Sequence, residues 1–345
     1  MIQGHGNNLY HFGQGAIRAD FSSNIAFNNK SEHIMAHLRD KLALIQNYPD
    51  PEMRELTHII AQGHQLSDDC VLITNGSAEA FYMLAHYIAC KHERARSHIF
   101  IPSFAEYEDS CVLFGHELSY SSLSDFSALQ AHRYDSVWLG CPNNPDGYRV
   151  SDADIAAACR ANPHCHFIFD CAYHELSTCR EIDGRLMDNQ IVTHSLTKSF
   201  GIPGLRLGYI IATETTIAEL QGMRAPWSVN ALSLEAGKFI LQHYQELMFD
   251  HKELMEESQF LQSELGAIEG ITITPSACNF FLSQLTDGRN ATQLQDYLVQ
   301  EHGLLIRHAG NFRGLSDKHF RIAAQSRDKN LQLITALQTW SSLPH

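Results

Sequence analysis

The chain has 345 residues, enough for one large domain with a lobe or for two domains. Its 25 basic and 39 acidic side chains give a formal charge of −14, which disfavours nucleic acid or an anionic membrane as partner. The nine cysteines lack a CxxC pair, so we expect buried, inert thiols in a cytoplasmic protein without a metal site. We also expect no signal peptide and no membrane span.

Short apolar strands alternate with helices after a Gly- and Asn-rich segment covering the first thirty residues. The periodicity predicts helices at 31–47, 52–64, 78–90, 105–114 and 151–162 and strands at 71–74, 98–102, 118–123, 136–141, 166–173, 190–195 and 205–212. This alternation predicts an α/β fold with a mostly parallel sheet covered on both faces.

The pattern changes after residue 225. Helices fill 229–268 and are followed by short strands at 271–275, 279–284, 304–308 and 319–324, with helices at 291–302 and 327–340. We therefore assign residues 48–225 to a large domain. Residues 1–47 and 226–345 are assigned to an N-terminal arm and a smaller α+β domain.

A possible anion cradle follows the first predicted strand. Gly76, Ser77 and Ala78 stand between that strand and a helix, where free backbone N–H groups and the helix dipole favour an anion. Taken alone, the segment reads as a tight turn with a serine N-cap. The pattern G-x-x-x-x-G-K is absent, so a small phosphate group is the natural ligand rather than a nucleotide.

Two further polar residues follow predicted strand ends. Asp170 ends an apolar strand in "FDCAYHE", and Asn144 follows a strand in "CPNNPDG". Ligands of open α/β sheets bind outside the carboxyl ends of the strands. A carboxylate buried there implies a cationic partner. The simpler interpretations are a helix cap or a loop salt bridge for Asp170 and a Pro-Asp-Gly turn for the asparagine.

The stretch "HSLTKSFGIPGLRLGY" adds a lysine and an arginine. Lys198 follows a strand end, and Arg206 lies between two leucines at the start of the next apolar run. A partly desolvated lysine near another cation loses its proton readily and becomes a nucleophile toward aldehydes. We expect Arg206 to be buried with a phosphate as its counter-ion. A phosphate cradle, a carboxylate, an amide, a lysine and an arginine on successive strand ends match what pyridoxal 5′-phosphate requires.

The stretch "SLTKSFGIPGLRLGY", with "PNNPDG" and "DCAY", resembles the motifs of the aminotransferase class I/II group of fold-type I pyridoxal-phosphate enzymes. The resemblance covers nearly the whole chain. It implies that family's fold, in which a mostly parallel mixed sheet between helices is joined to a smaller α+β domain. It also implies that Lys198 bonds to the cofactor's aldehyde and that Asp170 holds its ring nitrogen.

The same resemblance implies the remaining cofactor contacts. Asn144 and Tyr173 would bond the ring hydroxyl, and Tyr107 would stack on the ring. The phosphate would be held by Gly76, Ser77, Ala78, Ser195 and Arg206. Tyr48, in "QNYPDP", resembles the tyrosine that reaches the phosphate from the partner subunit, so we expect a homodimer.

Two branches of the family compete as the function. The segments "HGNN", "DFSSNI" and "APWSVNA" resemble threonine-phosphate decarboxylases, whereas histidinol-phosphate aminotransferases share the core motifs. Both substrates are phosphorylated. In the decarboxylase interpretation Arg321 binds the substrate carboxylate, and the substrate phosphate is surrounded by Arg307, His5 and Asn24.

The sequence leaves the reaction open. Asp146 stands where the family usually has threonine, and Tyr173 is typical of transaminases. Without the resemblance, one of the two arginines could belong to an ion pair of the small domain, and His5 would be an ordinary histidine of a flexible tail. A family member without turnover and a non-enzymatic interaction protein are the alternatives outside this class.

Overall fold

The computed structural model describes residue 12, residues 14–179, residue 182 and residues 187–343. A seven-stranded sheet organises the larger part. Its strands are β2 (Val71–Thr74), β3 (Arg96–Ile101), β4 (Glu117–Ser122), β5 (Ser136–Gly140), β6 (His166–Asp170), β7 (Gln190–Ser195) and β8 (Gly208–Ile211), in the order β2-β8-β7-β6-β5-β3-β4. Strand β8 runs antiparallel to both of its neighbours, and the other pairs are parallel. The predicted α/β fold is confirmed.

Helices cover both faces of this sheet because successive strand residues point to opposite sides. They are α1 (Ser31–Asp40), α2 (Arg54–His64), α3 (Gly76–Lys91), α4 (Ala105–Leu113), α5 (Asp152–Ala161), α6 (Glu214–Gln221) and α7 (Ala231–Gln242). On β5, Val137 and Leu139 pack toward α2, α5 and α7, whereas Trp138 packs toward α3, α4 and α6. Helix α5 begins at the predicted cap, where the Ser151 hydroxyl accepts from the Asp154 N–H at 3.1 Å.

A four-stranded antiparallel sheet forms the smaller part. Its strands are β9 (Ile271–Ile273), β10 (Phe280–Leu285), β12 (Arg307–His308) and β13 (His319–Ala323), in the order β12-β13-β10-β9. The other elements are β1 (Ala19–Asp20), which pairs in parallel with β11 (Leu304–Leu305), and the helices α8 (Tyr244–Leu247), α9 (His251–Gly266), α10 (Ala291–Tyr297) and α11 (Arg327–Ser342).

The residues of the two hydrophobic cores do not follow the predicted domain boundaries. Ile34 of α1, Leu234 and Ile240 of α7, and Leu247 of α8 pack into the core of the large sheet. The core of the small sheet instead combines Ala19 and Phe21 with apolar residues between 261 and 340. Residues 226–247 therefore pack with the large sheet, where their apolar side chains join those of α2 and β2 in one core.

Two global features accompany this architecture. No helix in the described part of the chain is long and apolar enough to cross a membrane. None of the nine cysteines forms a disulfide within the described residues, and seven of them are buried. Burial raises the pKa of most of these thiols, including that of Cys111 to about 12, which keeps them protonated.

Candidate active site

A cavity of about 340 Å³ opens at the carboxyl edge of the large sheet, where the small sheet faces it. The parallel strands β5, β6 and β7 end at this edge. Strand β2 ends there too, because it is antiparallel to β8, which is itself antiparallel to β7. Eleven of the predicted site residues line the cavity: Asn24, Ser77, Ala78, Asn144, Asp170, Tyr173, Ser195, Lys198, Arg206, Arg307 and Arg321. Residues distant in sequence are therefore brought together as predicted.

The phosphate-binding side of the cavity is built from the start of α3 and Arg206. Helix α3 begins at Gly76, whose φ of +76° is easily adopted only by glycine. A Cβ on this glycine would meet Cζ of Arg206 at 3.0 Å and Nη2 at still shorter range. No side-chain cap bond comes from Asn75, so the serine-cap interpretation does not describe this helix start. The first-turn N–H groups at Ser77 and Ala78 face the cavity beside a guanidinium.

The prediction that Arg206 is buried in a strand is wrong. Strand β8 begins only at Gly208, and Arg206 ends a short 3₁₀ turn with a left-handed φ of 57°. Its side chain is exposed to the cavity, where Nη1 donates to the Pro203 carbonyl oxygen at 3.2 Å. The left-handed residue turns the side chain out of the strand, so solvent or an anion in the cavity reaches the guanidinium.

Asp170, the last residue of β6, is only 6% exposed. Burial raises the pKa of its carboxyl group, and hydrogen bonds from Tyr107 and the Ala172 N–H, with the charge of Lys198, oppose that rise. The Tyr107 hydroxyl donates to Oδ2 at 2.6 Å, and the Ala172 N–H donates to Oδ1 at 3.1 Å. The carboxylate is thereby fixed in orientation.

Lys198 follows β7 and faces the same cavity. Burial, and then the charges of Arg206 and Arg321, lower the pKa of its amine to about 8, although Asp170 acts in the opposite sense. Beside it, the hydroxyls of Ser195 and Thr197 are hydrogen-bonded to each other at 2.9 Å. The lysine therefore has the properties of a nucleophile toward an aldehyde at mildly alkaline pH.

The small sheet contributes one wall of the cavity, and two arginines lie directly opposite each other on its strands. Arg307 of β12 and Arg321 of β13 are Cα partners across the antiparallel pair. Arg321 donates from Nη1 to Oδ1 of Asn144 and from Nη2 to the Ser22 carbonyl oxygen, both at 2.6 Å. Arg307 donates from Nη2 to Oδ1 of Asn311 at 2.9 Å. Burial, and then the charge of Arg321, lower the pKa of Arg307 to about 9.

Unsatisfied polar atoms remain at this wall. Nε of Arg321 and both polar atoms of the Asn24 side chain are buried without a hydrogen-bond partner within the described residues. Buried polar atoms of this kind are costly unless something pairs with them. The arrangement therefore suits an acidic ligand that accepts from Arg321 and bonds the Asn24 amide.

Comparison with known proteins identifies the family. The family model for aminotransferase class I and II matches residues 12–337. The chain belongs to this family. This is the family that the motifs around Lys198 predict, and its members depend on pyridoxal 5′-phosphate.

Relatives within the aminotransferase class I/II family fall into both predicted branches. The chain is 30% identical to threonine-phosphate decarboxylase of Salmonella typhimurium, over 92% of this chain and 90% of that protein. It is also 30% identical to histidinol-phosphate aminotransferase 1 of Burkholderia lata, over 89% of this chain and 88% of that protein. The solved L-threonine-O-3-phosphate decarboxylase of Porphyromonas gingivalis superposes with a TM-score of 0.88 and 33% identity, covering 93% of this chain and 99% of that chain.

The residue that the family resemblance predicts to stack on the cofactor ring lies outside the cavity. Tyr107 is 2% exposed, packs among apolar residues with Phe81 and Trp138, and does not line the cavity. Phe104 lines it instead, because it precedes the first turn of α4 and stays at the sheet edge. Tyr107, three residues on, points into the core that α4 buries. Phe104 is the residue that sequence reasoning missed, and its position in the short loop between a strand and a helix was the available signal.

Two other predicted residues in the described part of the chain, Gly76 and Tyr48, do not line the cavity. Gly76 shapes the cavity wall through its backbone rather than lining it. Tyr48 is 83% exposed and contacts Trp227, with ring centroids 5.0 Å apart. His5 lies outside the described residues. Tyr173 does line the cavity, and its ring packs edge-on against Phe280 at 5.0 Å.

Proposed function

We propose that this protein binds pyridoxal 5′-phosphate and decarboxylates L-threonine O-3-phosphate to 1-amino-2-propanol O-2-phosphate. The observation that carries the proposal is the pair Arg307 and Arg321, in register on one wall of the cavity that Lys198 faces. Two guanidinium groups suit a substrate that carries both a carboxylate and a phosphate. Histidinol phosphate carries only the phosphate.

The residues present fit the cofactor. Arg206 and the start of α3 suit its phosphate. Arg206 pairs with no carboxylate in the described part of the chain, and the side chain of Asn75 does not cap the helix. Asp170 suits a protonated ring nitrogen, and the amide nitrogen of Asn144 remains for the ring hydroxyl because Arg321 occupies Oδ1. When bound, this cofactor withdraws electrons from whichever bond to the substrate Cα stands perpendicular to its ring.

The chain's own residues then decide which bond that is. Arg321 is held by Asn144 and Ser22, so it can fix a substrate carboxylate in one orientation and thereby select that group for release as carbon dioxide. Arg307, with Asn24 and His5, would hold the substrate phosphate. Nζ of Lys198, whose pKa is lowered to about 8, can hold a proton and deliver it to Cα after the carboxylate leaves.

An aminotransferase of the histidinol-phosphate type is the second candidate. The 30% identity to the Burkholderia lata enzyme, equal to that of the Salmonella decarboxylase, supports it. In that reaction Lys198 would remove the proton from Cα, and Arg321 would bind the carboxylate of the amino-acceptor or donor.

A product assay separates the two. The purified protein, loaded with pyridoxal 5′-phosphate, is incubated with L-threonine O-3-phosphate without a keto acid. We expect carbon dioxide and the amino-propanol phosphate. Turnover of histidinol phosphate that requires 2-oxoglutarate, with no carbon dioxide from threonine phosphate, would overturn the decarboxylase proposal in favour of the second candidate.

Variants test the lysine in the same assay. Lys198→Ala should lose both activity and the visible absorbance of the loaded protein. Lys238→Ala is the matched control, because that lysine pairs with Glu235 and Glu55 away from the cavity. Absorbance that survives in Lys198→Ala would show that another amine binds the cofactor.

We also propose that the protein acts as a homodimer in which Tyr48 reaches the partner's phosphate site. Tyr48 and its neighbours Leu42, Ile45 and Trp227 are exposed although they are large and apolar, as surfaces covered by a partner are. Light scattering should give twice the chain mass. Mixed dimers of Lys198→Ala and Tyr48→Ala should regain part of the activity, because one of their two sites has both residues. Mixed dimers without activity would contradict the shared site.

A further inference from the structure

Tyr107 is a buried tyrosine whose hydroxyl has one charged partner. It is 2% exposed and lies on α4, outside the cavity. Its hydroxyl donates to Oδ2 of Asp170 at 2.6 Å, a short bond of the charge-assisted kind.

The surroundings of Tyr107 hold this donor in place. Its ring packs edge-on against Phe81, with centroids 4.9 Å apart, and lies at 6.2 Å from the ring of Trp138. Burial, followed by the charge of Asp170, raises the pKa of this tyrosine well above its ordinary value. The phenol is therefore protonated at every working pH and always available as a donor.

Asp170 needs this donor. Burial alone raises the pKa of its carboxyl group, which favours the neutral acid. The Tyr107 hydroxyl is the largest of the influences that lower it again, ahead of the Ala172 N–H and Lys198. A neutral acid could not serve as the anionic partner of a protonated ring nitrogen, so the state of Asp170 decides whether the site works.

We propose that Tyr107 is a positioning residue that keeps Asp170 ionised and turned toward the ring nitrogen of the cofactor. This inference rests on the proposed cofactor. It gives the second aromatic of "PSFAEYE" a role other than stacking, which Phe104 takes. Tyr107 acts through the carboxylate and does not itself touch the cavity.

The test compares Tyr107→Phe with the wild-type protein in cofactor binding, measured by absorbance titration of the cofactor-free form. Removing one charge-assisted hydrogen bond should weaken binding by roughly ten- to a hundredfold. Because Asp170 then becomes protonated more easily, the variant should lose affinity at a higher pH than the wild type as the pH falls. Tyr87→Phe, which removes the hydroxyl of another buried tyrosine of the same core, is the matched control and should bind normally.

A cofactor analogue with carbon in place of the ring nitrogen isolates the mechanism. It has nothing for Asp170 to hold, so Tyr107→Phe and wild type should bind this analogue about equally. Equal losses for cofactor and analogue would mean that Tyr107 acts through packing, and the inference would be overturned. A wild-type protein that binds no pyridoxal 5′-phosphate would instead refute the proposed function itself.

A second variant covers the case in which Tyr107→Phe does not fold. The double variant Tyr107→Phe, Asp170→Asn removes the buried charge that would be left without its donor. Recovery of a folded protein would support the coupling of the two residues. A double variant that also fails to fold would assign Tyr107 a packing role and contradict the proposal.

Discussion

Arg321 is bonded to Asn144 across the boundary between the two sheets. Nη1 of the arginine, on β13, donates at 2.6 Å to the amide oxygen of an asparagine that follows β5 of the large sheet. Nη2 makes an equally short bond to the Ser22 carbonyl oxygen, and Nε is buried without a partner in the described chain. The guanidinium is thus oriented by both parts of the molecule, and its Nε remains as a donor without a partner in the described chain.

Replacing Arg321 by lysine tests this arrangement. A lysine has a single nitrogen and lacks the planar, spread donors of the guanidinium, so it cannot reach Asn144, Ser22 and the ligand together. We therefore expect KM to rise by about tenfold or more while the fold is kept. Steady-state kinetics with L-threonine O-3-phosphate measures the effect. Arg289→Lys is the control, because that arginine pairs with Asp287 inside the small domain. An unchanged KM in Arg321→Lys would remove it from the substrate site.

Replacing Gly76 by alanine should weaken cofactor binding. The backbone there has a φ of +76°, and the added Cβ would collide with the Arg206 guanidinium. We expect a stability loss of about 1–2 kcal/mol from the backbone strain and a fall in phosphate affinity from the displaced arginine. Gly63→Ala is the control, since nothing lies within 4 Å of its added carbon. Titration with pyridoxal 5′-phosphate that gives the same affinity for both variants would contradict the cradle.

The reactivity of Lys198 should depend on pH with a midpoint near 8. Its pKa is lowered to about 8 by burial and by two neighbouring arginines, so the neutral, nucleophilic amine predominates only above that pH. Borohydride trapping of pyridoxal, which lacks the phosphate, measures the profile independently of the phosphate site. Arg206→Gln removes one of the cations and should move the midpoint upward, whereas the remote Arg39→Gln should not. A downward shift in Arg206→Gln would refute the electrostatic account.

Phe104 should carry the ring contact that the family resemblance assigns to Tyr107. Loss of the aromatic face in Phe104→Leu should reduce cofactor affinity by roughly two- to tenfold. Phe114→Leu is a suitable control because that ring stacks on His86, at 4.8 Å, and does not line the cavity. Fluorescence titration distinguishes them, and equal affinities would exclude Phe104 from the ring site.

Much of the fold is predictable because the strands of the large sheet are short and apolar on both faces. Strands β2 and β7 have the bounds that the sequence predicts, since polar or turn residues follow each apolar run directly. The carboxyl ends of the strands can therefore be aligned from the sequence alone. That alignment is enough to predict that Ser77, Asp170 and Lys198 lie at one edge of the sheet, as they do.

The remaining details depend on tertiary contacts. Which of Phe104 and Tyr107 faces the cavity depends on where α4 begins, because Phe104 precedes the helix in an extended conformation whereas Tyr107 lies in its first turn. The left-handed conformation of Arg206 is likewise held by its neighbours rather than by a local glycine. The predicted domain boundary puts Leu234 and Ile240 in the wrong core, because a helical pattern shows that a face is buried but not what it packs against.

The hairpin of β7 and β8 fixes the spacing of the two cations. Ser195 pairs with Gly208, and a Cβ on that glycine would lie 2.7 Å from the His194 carbonyl oxygen and 2.8 Å from the Ser77 nitrogen. A slip by one residue would carry every side chain of a strand to the opposite face and separate Lys198 from Arg206. The turn at 196–207 is thus a fixed-length spacer, and an insertion or deletion there would move Lys198 and Arg206 apart and remove the site.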